Sequence, residues 1–284
     1  VTNIDFEHMD YYKNFKNLED AFIKFINKTP PIGKSLICID DKNIQNLIKK
    51  IKNKNILTYG FSKKSNYRIS NVRYFVTHSS FDLSFSNSSK KKITIKNINL
   101  NLIGKHNVLN ASAAIAVCVN LGVKFHIIKK ALENFSGVQR RMTRIFSKNK
   151  NEFFDDYAHH PTEICSILEG MSNVYKKREI ISVFEPHRYS RVMSLMKEFS
   201  KSFINSSLVL ICPLYAAGEK KNKKFDLIRF GKLISKNSKT QVVFVKNQNE
   251  LCNYFRKNLI KDEIVIGMGA GYISQWMREL KNYL

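Results

Sequence analysis

The C-terminal half of the chain contains polar clusters whose residue types bind anions and transfer protons. One cluster covers residues 155–163, with the sequence Asp-Asp-Tyr-Ala-His-His-Pro-Thr-Glu, and a second covers residues 184–191, with the sequence Phe-Glu-Pro-His-Arg-Tyr-Ser-Arg. Two arginines three positions apart at the start of a helix can hold a carboxylate or a phosphate between them. The sequence therefore predicts an anion site here, with the following candidate residues: His159, His187, Arg188 and Arg191.

Each cluster follows an apolar run of strand length. Five such runs alternate with helical patterns, at residues 152–156, 179–184, 208–214, 241–245 and 263–267. Apolar strands joined by helices are typical of a mainly parallel sheet covered on both faces, in which ligands bind at the carboxyl ends of the strands. A third polar segment, Leu214–Glu219, follows the third run, and Pro161 is placed to open a helix. We therefore expect three strand ends to meet.

The first half of the chain predicts a mixed α/β fold. Asn17 is a candidate N-cap for an apolar helical stripe, 36–39 is a short strand, and 69–102 has the pattern of an antiparallel patch. A strongly apolar helix is expected over 108–121, closed by Gly122. A domain boundary falls near residues 135–150, which divides the chain into domains 1–136 and 137–284.

Three further segments outside the strand ends carry candidate ligand-binding residues. Asn107 lies in Gly104–Asn110, just before the apolar helix, where a helix cap is the alternative explanation. Arg141, the second of two arginines at the domain boundary, could reach a ligand held between domains. His8 lies among three acidic residues in 5–10, and carboxylates with an imidazole can bind a divalent cation, although surface charge explains them equally well.

Two glycine-containing segments look like phosphate loops. Gly33-Lys34-Ser35 matches the end of a phosphate loop, but Lys28 occupies the position of its first glycine and a strand follows, so we reject it. Gly267–Gly271 lies between a strand and a helix, but the chain ends before the acidic ribose partner about 20 residues on. A tight turn or a substrate-facing loop explains it better.

Composition excludes several classes of protein. The chain has 284 residues with 48 basic and 23 acidic side chains, a net charge of +25, but no nucleic-acid-binding motif organises the lysines, so nucleic acid is not the expected partner. No apolar run reaches the roughly 18–20 residues of a membrane-spanning helix. The five cysteines form no C-x-x-C pair, which indicates buried free thiols in a reducing cytoplasm.

Taken in order, these segments resemble the Mur ligase family. The matching pieces are residues 2–4 and 8–10, 104–110, 137–141, 155–163, 186–191 and 215–219, so the resemblance covers nearly the whole chain. Within the family, His187, Arg188 and Arg191 favour the members that add L-alanine to UDP-N-acetylmuramate. Members that recycle a murein peptide onto the same sugar nucleotide are the alternative, and Glu185, in place of the usual Gln, leans slightly that way.

The resemblance implies an ATP-dependent amide synthesis in the cytoplasmic stage of peptidoglycan assembly, with Mg²⁺ as cofactor. ATP would phosphorylate the lactoyl carboxylate of UDP-N-acetylmuramate, and the amine of L-alanine would then attack the acyl phosphate. By the same resemblance, Asn107 contacts adenine, and Arg141 and Asp156 approach the nucleotide. His8 would bind a second magnesium ion. The substrate-facing residues would be His159, His187, Arg188 and Arg191.

The resemblance starts beyond the UDP-binding domain and beyond the phosphate loop of the family. We therefore expect 1–136 to be the C-terminal part of a central ATP-binding domain and 137–284 a Rossmann-like C-terminal domain that binds the amino acid. The initial Val1 fits this expectation. The missing part would lie upstream in the same protein or on a separate N-terminal polypeptide, and the chain alone is expected to be inactive.

Overall fold

The computed structural model describes residues 1–87 and 89–284, and the chain divides into two compact units. Unit 1 is Val1–Ser136 and unit 2 is Gly137–Leu284. Each unit has its own sheet and its own buried core. None of the helices in the described residues is long and apolar enough to cross a membrane.

Unit 1 is a mixed sheet with helices. Among its described residues, 1–87 and 89–136, five strands form one sheet in the order in which they occur along the chain: β1 (Ser35–Cys38), β2 (Ile56–Gly60), β3 (Tyr67–Tyr74), β4 (Ser79–Ser86) and β5 (Lys92–Leu100). The first three strands are parallel and the last three are antiparallel. Its helices are α1 (Met9–Tyr12), α2 (Phe15–Asn27), α3 (Lys42–Leu47) with a 3-10 turn at Ile48–Lys50, α4 (Lys105–Asn120) and α5 (Phe125–Asn134).

The sequence predicted α2, β1, the strands β3–β5 and α4, with one wrong cap, but it did not predict α1, β2 or α5. Asn14, not Asn17, is the N-cap of α2, because its side-chain oxygen accepts a hydrogen bond from the backbone N–H of Asn17 at 2.9 Å. The antiparallel patch is confirmed as β3–β5, and the short strand predicted at 36–39 is confirmed as β1. Leu18 and Ile26 of α2 are buried, as its apolar stripe requires.

Helix α4 begins three residues before the predicted start, at Lys105, and Gly104 is its N-cap with a φ of 102°. That backbone conformation favours glycine, which has no Cβ to clash. Val108 and Ile115 of α4 are fully buried in the core of unit 1. The earlier start places Asn107 inside the first helical turn rather than in the preceding loop.

Unit 2, all of whose residues are described, contains six strands, in the sheet order β10-β9-β8-β11-β7-β6. The strands are β6 (Thr143–Lys148), β7 (Asn151–Asp156), β8 (Ile180–Phe184), β9 (Leu208–Ile211), β10 (Gln241–Phe244) and β11 (Ile264–Met268). Its helices are α6 (Pro161–Val174), α7 (Tyr189–Ser194), α8 (Met196–Phe199), α9 (Leu227–Ser238), α10 (Gln248–Asn258) and α11 (Ile273–Glu279), followed by a 3-10 turn at Leu280–Asn282.

The parallel part of this sheet confirms the fold predicted for the second half. All five predicted strands are present as β7–β11, and every pairing among them is parallel. Alternate residues pack into separate apolar clusters on the two faces, for example Phe154 in one and Phe153 in the other. The sequence did not predict β6, which pairs antiparallel with β7 at the edge of the sheet. Its largely polar residues stay partly exposed there, so it lacks the apolar signal of a central strand.

The cysteines are all free thiols, as predicted. Cys38, Cys212 and Cys252 are buried, and Cys118 is half-buried. Cys165 is exposed on α6, so the expectation of burial is wrong at that position.

Candidate active site

The three polar clusters meet at the carboxyl edge of the unit 2 sheet. His159 follows β7, His187 follows β8 and Tyr215 follows β9. The ring centres of His159 and His187 are 5.2 Å apart, and the ring of His187 stacks on Tyr215 at 5.7 Å. The parallel direction of the three strands brings together side chains that are 28 residues or more apart in the chain.

The protonation of His187 follows from its contact with Arg191. Nη1 of Arg191 donates a hydrogen bond to Nδ1 of His187 at 2.8 Å, and a guanidinium can only donate. Nδ1 is therefore the acceptor, and the neutral ring carries its proton on Nε2. Burial first, and then the charges of His159, Arg191 and Arg188, lower the pKa of His187 to about 4, against the opposing charge of Glu219. At neutral pH, His187 is an uncharged hydrogen-bond donor.

Helix α7 carries the two predicted arginines, and Glu219 holds its start. Arg188 is the N-cap of this helix, with a φ of 64°, and its backbone N–H donates to the carbonyl of Tyr215 at 2.9 Å. The carboxylate of Glu219 accepts hydrogen bonds from the backbone N–H of Ser190 at 3.1 Å and from the hydroxyl of Ser190. The third polar segment thus fixes the position of Arg188 and Arg191. The sequence placed Glu219 in that segment but did not predict this contact.

His159 is oriented by the start of helix α6. Pro161 opens the helix as predicted, and His160 is its N-cap. Glu163 accepts hydrogen bonds from the backbone N–H groups of His159 at 3.0 Å and His160 at 3.2 Å, which forms a capping box. Nδ1 of His159 lies 2.8 Å from the carbonyl of Tyr157 and 3.6 Å from the carboxylate of Glu163.

Asp156 is buried, and both oxygens of its carboxylate are bound by backbone. Oδ1 accepts from the N–H of Ala158 and Oδ2 from the N–H of Met142, each at 2.7 Å. Burial raises the pKa of Asp156 to about 6, although these hydrogen bonds and Arg141 oppose the shift. These contacts tie the segment around Arg141 to the end of β7. Arg141 itself is exposed, and its Nη1 is 3.5 Å from Oε1 of Glu163. That both residues contact the nucleotide stays a prediction.

The glycine segment that follows β11 forms a tight turn bound to Glu185. The carboxylate of Glu185 accepts from the N–H groups of Gly271 at 2.8 Å and Tyr272 at 3.0 Å. The ring of Tyr272 lies edge-on to Tyr215, with the ring centres 5.1 Å apart. Sequence reasoning identified the turn but missed Glu185 as its partner, because the two are 86 residues apart.

In unit 1, Asn107 and Lys105 both lie in the first turn of α4. Nδ2 of Asn107 donates to the carbonyl of Ile103 at 2.8 Å. Nζ of Lys105 lies 5.2 Å from the ring centre of Phe61, in cation–π geometry. Asp40 holds the Phe61 loop by accepting from its N–H at 2.6 Å. An amide, a ring and a cation at a helix start suit a nucleotide, but adenine contact by Asn107 stays a prediction.

The acidic segment near the start of the chain does not form a metal cage. His8 is exposed and is the N-cap of α1, with a φ of 57°. Within the part of the chain that the structure describes, no three His, Cys, Asp or Glu side chains are arranged to hold a metal ion. Mg²⁺ usually binds through one or two protein groups together with substrate phosphates. His8 therefore fits at most as a single magnesium ligand, and that role stays a prediction.

Two family models match the chain, in the order of its two units. The Mur ligase middle domain matches residues 1–118, and the Mur ligase, glutamate ligase domain matches residues 140–271. The chain belongs to the Mur ligase family, of which it contains the middle and C-terminal domains. It is 50% identical over 280 residues to the UDP-N-acetylmuramate–L-alanine ligase of Pelagibacter ubique, covering 99% of this chain and 60% of that relative. The chain thus spans about three fifths of the relative's length.

Solved structures of the family share the fold. The UDP-N-acetylmuramate–alanine ligase of Thermotoga maritima has a TM-score of 0.75 at 24% identity, covering 99% of this chain and 58% of that chain. The MurF ligase of the same organism, crystallised in complex with ADP, has a TM-score of 0.72 at 12% identity, covering 99% and 62%. At these identities the likeness shows the fold alone.

Proposed function

We propose that this chain supplies the C-terminal part of the ATP-binding domain and the amino-acid-binding domain of a UDP-N-acetylmuramate–L-alanine ligase, which acts in the cytoplasmic stage of peptidoglycan precursor synthesis. The observation that supports it most is the convergence of Arg191, His187 and His159 at the carboxyl edge of the unit 2 sheet. The 50% identity to the Pelagibacter ubique ligase supports the same choice of substrate.

The proposed reaction has two steps. A lactoyl carboxylate oxygen of UDP-N-acetylmuramate attacks the γ-phosphorus of ATP, and ADP leaves to give an acyl phosphate. The nitrogen of L-alanine then attacks the acyl carbon, phosphate leaves, and the nitrogen loses a proton to give the amide. Magnesium, when bound with ATP, would neutralise charge on the phosphates.

The residues of unit 2 have distinct parts in this proposal. Arg188 is the N-cap of α7 and Arg191 lies in that helix, and both supply positive charge for the carboxylate of the amino acid or for the acyl phosphate. His187 donates a hydrogen bond from Nε2 and remains uncharged, so it orients an oxygen atom without adding a full charge. The ring centre of His159 lies 5.2 Å from that of His187, so His159 would contact the same substrate.

The residues of unit 1 would bind ATP. Asn107 and Lys105 lie in the first turn of α4, and Lys105 contacts the ring of Phe61, so an amide, a cation and a ring would be available to the base and phosphates of a nucleotide. His8 would be a magnesium ligand.

The direct test is phosphate release by the assembled ligase. We use this term for the present chain together with the N-terminal ligase segment of its relatives, on one polypeptide or on two. Release is expected only when ATP, UDP-N-acetylmuramate and L-alanine are all present. Release with a murein tripeptide in place of L-alanine would favour the recycling ligase instead, and salt-dependent binding to arbitrary DNA without affinity for ATP would favour a nucleic-acid-binding module.

Arg191→Ala distinguishes a loss of activity from a loss of folding. The variant is expected to lose most activity and to keep the circular dichroism spectrum of the wild type, because Arg191 is half-buried at the site. Arg229→Ala, which removes an exposed arginine from α9, is the matched control and should keep normal turnover. Normal turnover of Arg191→Ala would overturn the assigned role.

A further inference from the structure

The turn between β11 and α11, residues Gly269–Tyr272, is held from two sides. Glu185, which is only 4% exposed, accepts from the N–H of Gly271 with Oε2 at 2.8 Å and from the N–H of Tyr272 with Oε1 at 3.0 Å. On the other side, Nη2 of Arg140 donates to the carbonyl of Gly269 at 2.7 Å. Hydrogen bonds with a charged partner are about twice as strong as neutral ones, so these contacts fix the turn firmly.

At Gly269 and Gly271, the backbone of this turn lies too close to its neighbours to carry a side chain. A Cβ at Gly271 would lie 2.5 Å from Oε2 of Glu185 and 2.6 Å from Cγ of Tyr215. Gly269 has a φ of 155°, and a Cβ there would lie 2.9 Å from Cβ of Glu185. The turn therefore touches both the carboxylate of Glu185 and the ring of Tyr215.

Three aromatic rings continue from this turn into the candidate active site. Tyr272 is the last residue of the turn, and its ring is edge-on to Tyr215 at 5.1 Å. Tyr215 in turn stacks on His187 at 5.7 Å. Tyr272 is 59% exposed, so its neighbours in the protein interior do not fix its ring. Its backbone, in contrast, is held by the hydrogen bond from its own N–H to Glu185.

We propose that Glu185 is a positioning residue for amino-acid binding, because it holds Gly271 and Tyr272 so that the ring of Tyr272 packs on Tyr215, which stacks on His187. The proposal rests on the proposed function, since it assumes that L-alanine binds beside the rings of Tyr215 and His187. Removal of both acceptor oxygens leaves the N–H groups of Gly271 and Tyr272 without their partners. The turn then relaxes, and the ring of Tyr272 leaves Tyr215.

The kinetic test uses Glu185→Leu and Glu185→Gln in the assembled ligase. Glu185→Leu is expected to raise KM for L-alanine about tenfold or more, since two hydrogen bonds are lost, and to leave KM for ATP unchanged. Glu185→Gln keeps one acceptor oxygen and should recover most of the affinity. Glu263→Leu is the control: Glu263 is equally buried, accepts from the N–H of Ile260 at 2.9 Å, and lies at the other end of β11.

Tyr272→Ala keeps the test decisive if Glu185→Leu does not fold. Its side chain is largely exposed, so the variant should fold, and it removes the ring that Glu185 is proposed to place. It should raise KM for L-alanine as Glu185→Leu does. An unchanged KM in Tyr272→Ala, or equal effects of Glu185→Leu on L-alanine and ATP, would overturn the proposal.

A spectroscopic readout separates this proposal from the proposed function. In protein with labelled tyrosines, nuclear Overhauser contacts between the Tyr215 and Tyr272 rings should be present in the wild type and Glu185→Gln and absent in Glu185→Leu. This measurement needs no turnover, so it stands even if the assembled ligase does not use L-alanine. Contacts that persist in Glu185→Leu would show that Glu185 does not position the rings.

Discussion

Nη1 of Arg191, in helix α7, donates a hydrogen bond at 2.8 Å to Nδ1 of His187, which lies just before that helix. Because the guanidinium has no acceptor atom, this contact fixes the tautomer of His187 and opposes its protonation. Burial is the larger cause of the lowered pKa, and the charged neighbours add to it. A histidine held in this way can donate from Nε2 but cannot take a proton at Nδ1 while the contact lasts.

His187 should titrate with a midpoint of about 4, below the ordinary value of 6.5. Between these two values, His187 binds a proton in the unfolded chain but not in the folded chain. The contribution of neutral His187 to stability is therefore complete above pH 6.5 and is lost as the pH falls toward 4. Arg191→Leu should raise the midpoint but leave it below 6.5, because burial remains. Nuclear magnetic resonance of the ring protons measures both values.

The exposed Arg229 provides the control, and Arg229→Leu should leave the midpoint of His187 unchanged. A midpoint between 6 and 7 in the wild type would contradict the assignment of an uncharged His187.

Glu219 should affect activity through the helix that carries the arginines. Glu219→Ala removes the acceptor for both the backbone N–H and the hydroxyl of Ser190. The start of α7 then loses its anchor, and kcat/KM for L-alanine should fall about tenfold, as expected for a hydrogen bond to a charged group. Steady-state kinetics of the assembled ligase measures the change.

Glu250→Ala is the matched control for Glu219→Ala. Glu250 also accepts a backbone hydrogen bond near a helix start, from Lys246 at 2.8 Å, but it lies on α10. If both variants lower activity equally, the effect is a general loss of stability and Glu219 has no special place in the site.

The strands were predictable because their signal is local, whereas the contacts that orient the site are not local. β8, β9 and β11 are nearly continuous apolar runs, and such runs with helical crossovers predict a parallel sheet. β6 has a partly exposed polar pattern and pairs only at the edge, so no local pattern marked it. The choice between Asn14 and Asn17 as N-cap depends on where the first turn closes, and both residues suit the position equally.

Some residues of the candidate site could likewise be predicted from the sequence, whereas their long-range contacts could not. Its polar strand ends, with His159, His187 and Arg191, could be identified because residue type and strand position are both visible in the sequence. The partners of Glu219 and Glu185 lie 29 and 86 residues away in the chain. Such pairs are decided by how the strands and turns pack, which one sequence does not encode in any local pattern.

Asp156 should make the stability of unit 2 depend on pH. Its pKa rises from 3.8 to about 6 on folding, so the folded chain favours the protonated acid, and stability is lost as the pH rises from about 4 to 6. A shift of this size corresponds to on the order of 3 kcal/mol. Asp156→Asn should remove this pH dependence, and the fluorescence of Trp276 during denaturation follows unit 2, which contains the chain's one tryptophan.

Asp226→Asn serves as the control for that measurement, because Asp226 is an exposed N-cap of α9 that also accepts backbone hydrogen bonds. It should keep the pH profile of the wild type. An Asp156→Asn profile that parallels the wild type between pH 4 and 6 would show that another group titrates there.

Asn107 should determine affinity for ATP. Asn107→Ala removes the amide at the start of α4, and KM for ATP should rise about tenfold while KM for L-alanine stays constant. The lost hydrogen bond to Ile103 should also lower the free energy of unfolding by about 1 kcal/mol. Asn120→Ala is the matched control on the same helix, since Nδ2 of Asn120 donates to the hydroxyl of Tyr67 and to the carbonyl of Ala116. An equal rise in KM for ATP in both variants would mean that helix stability, not nucleotide contact, explains the effect.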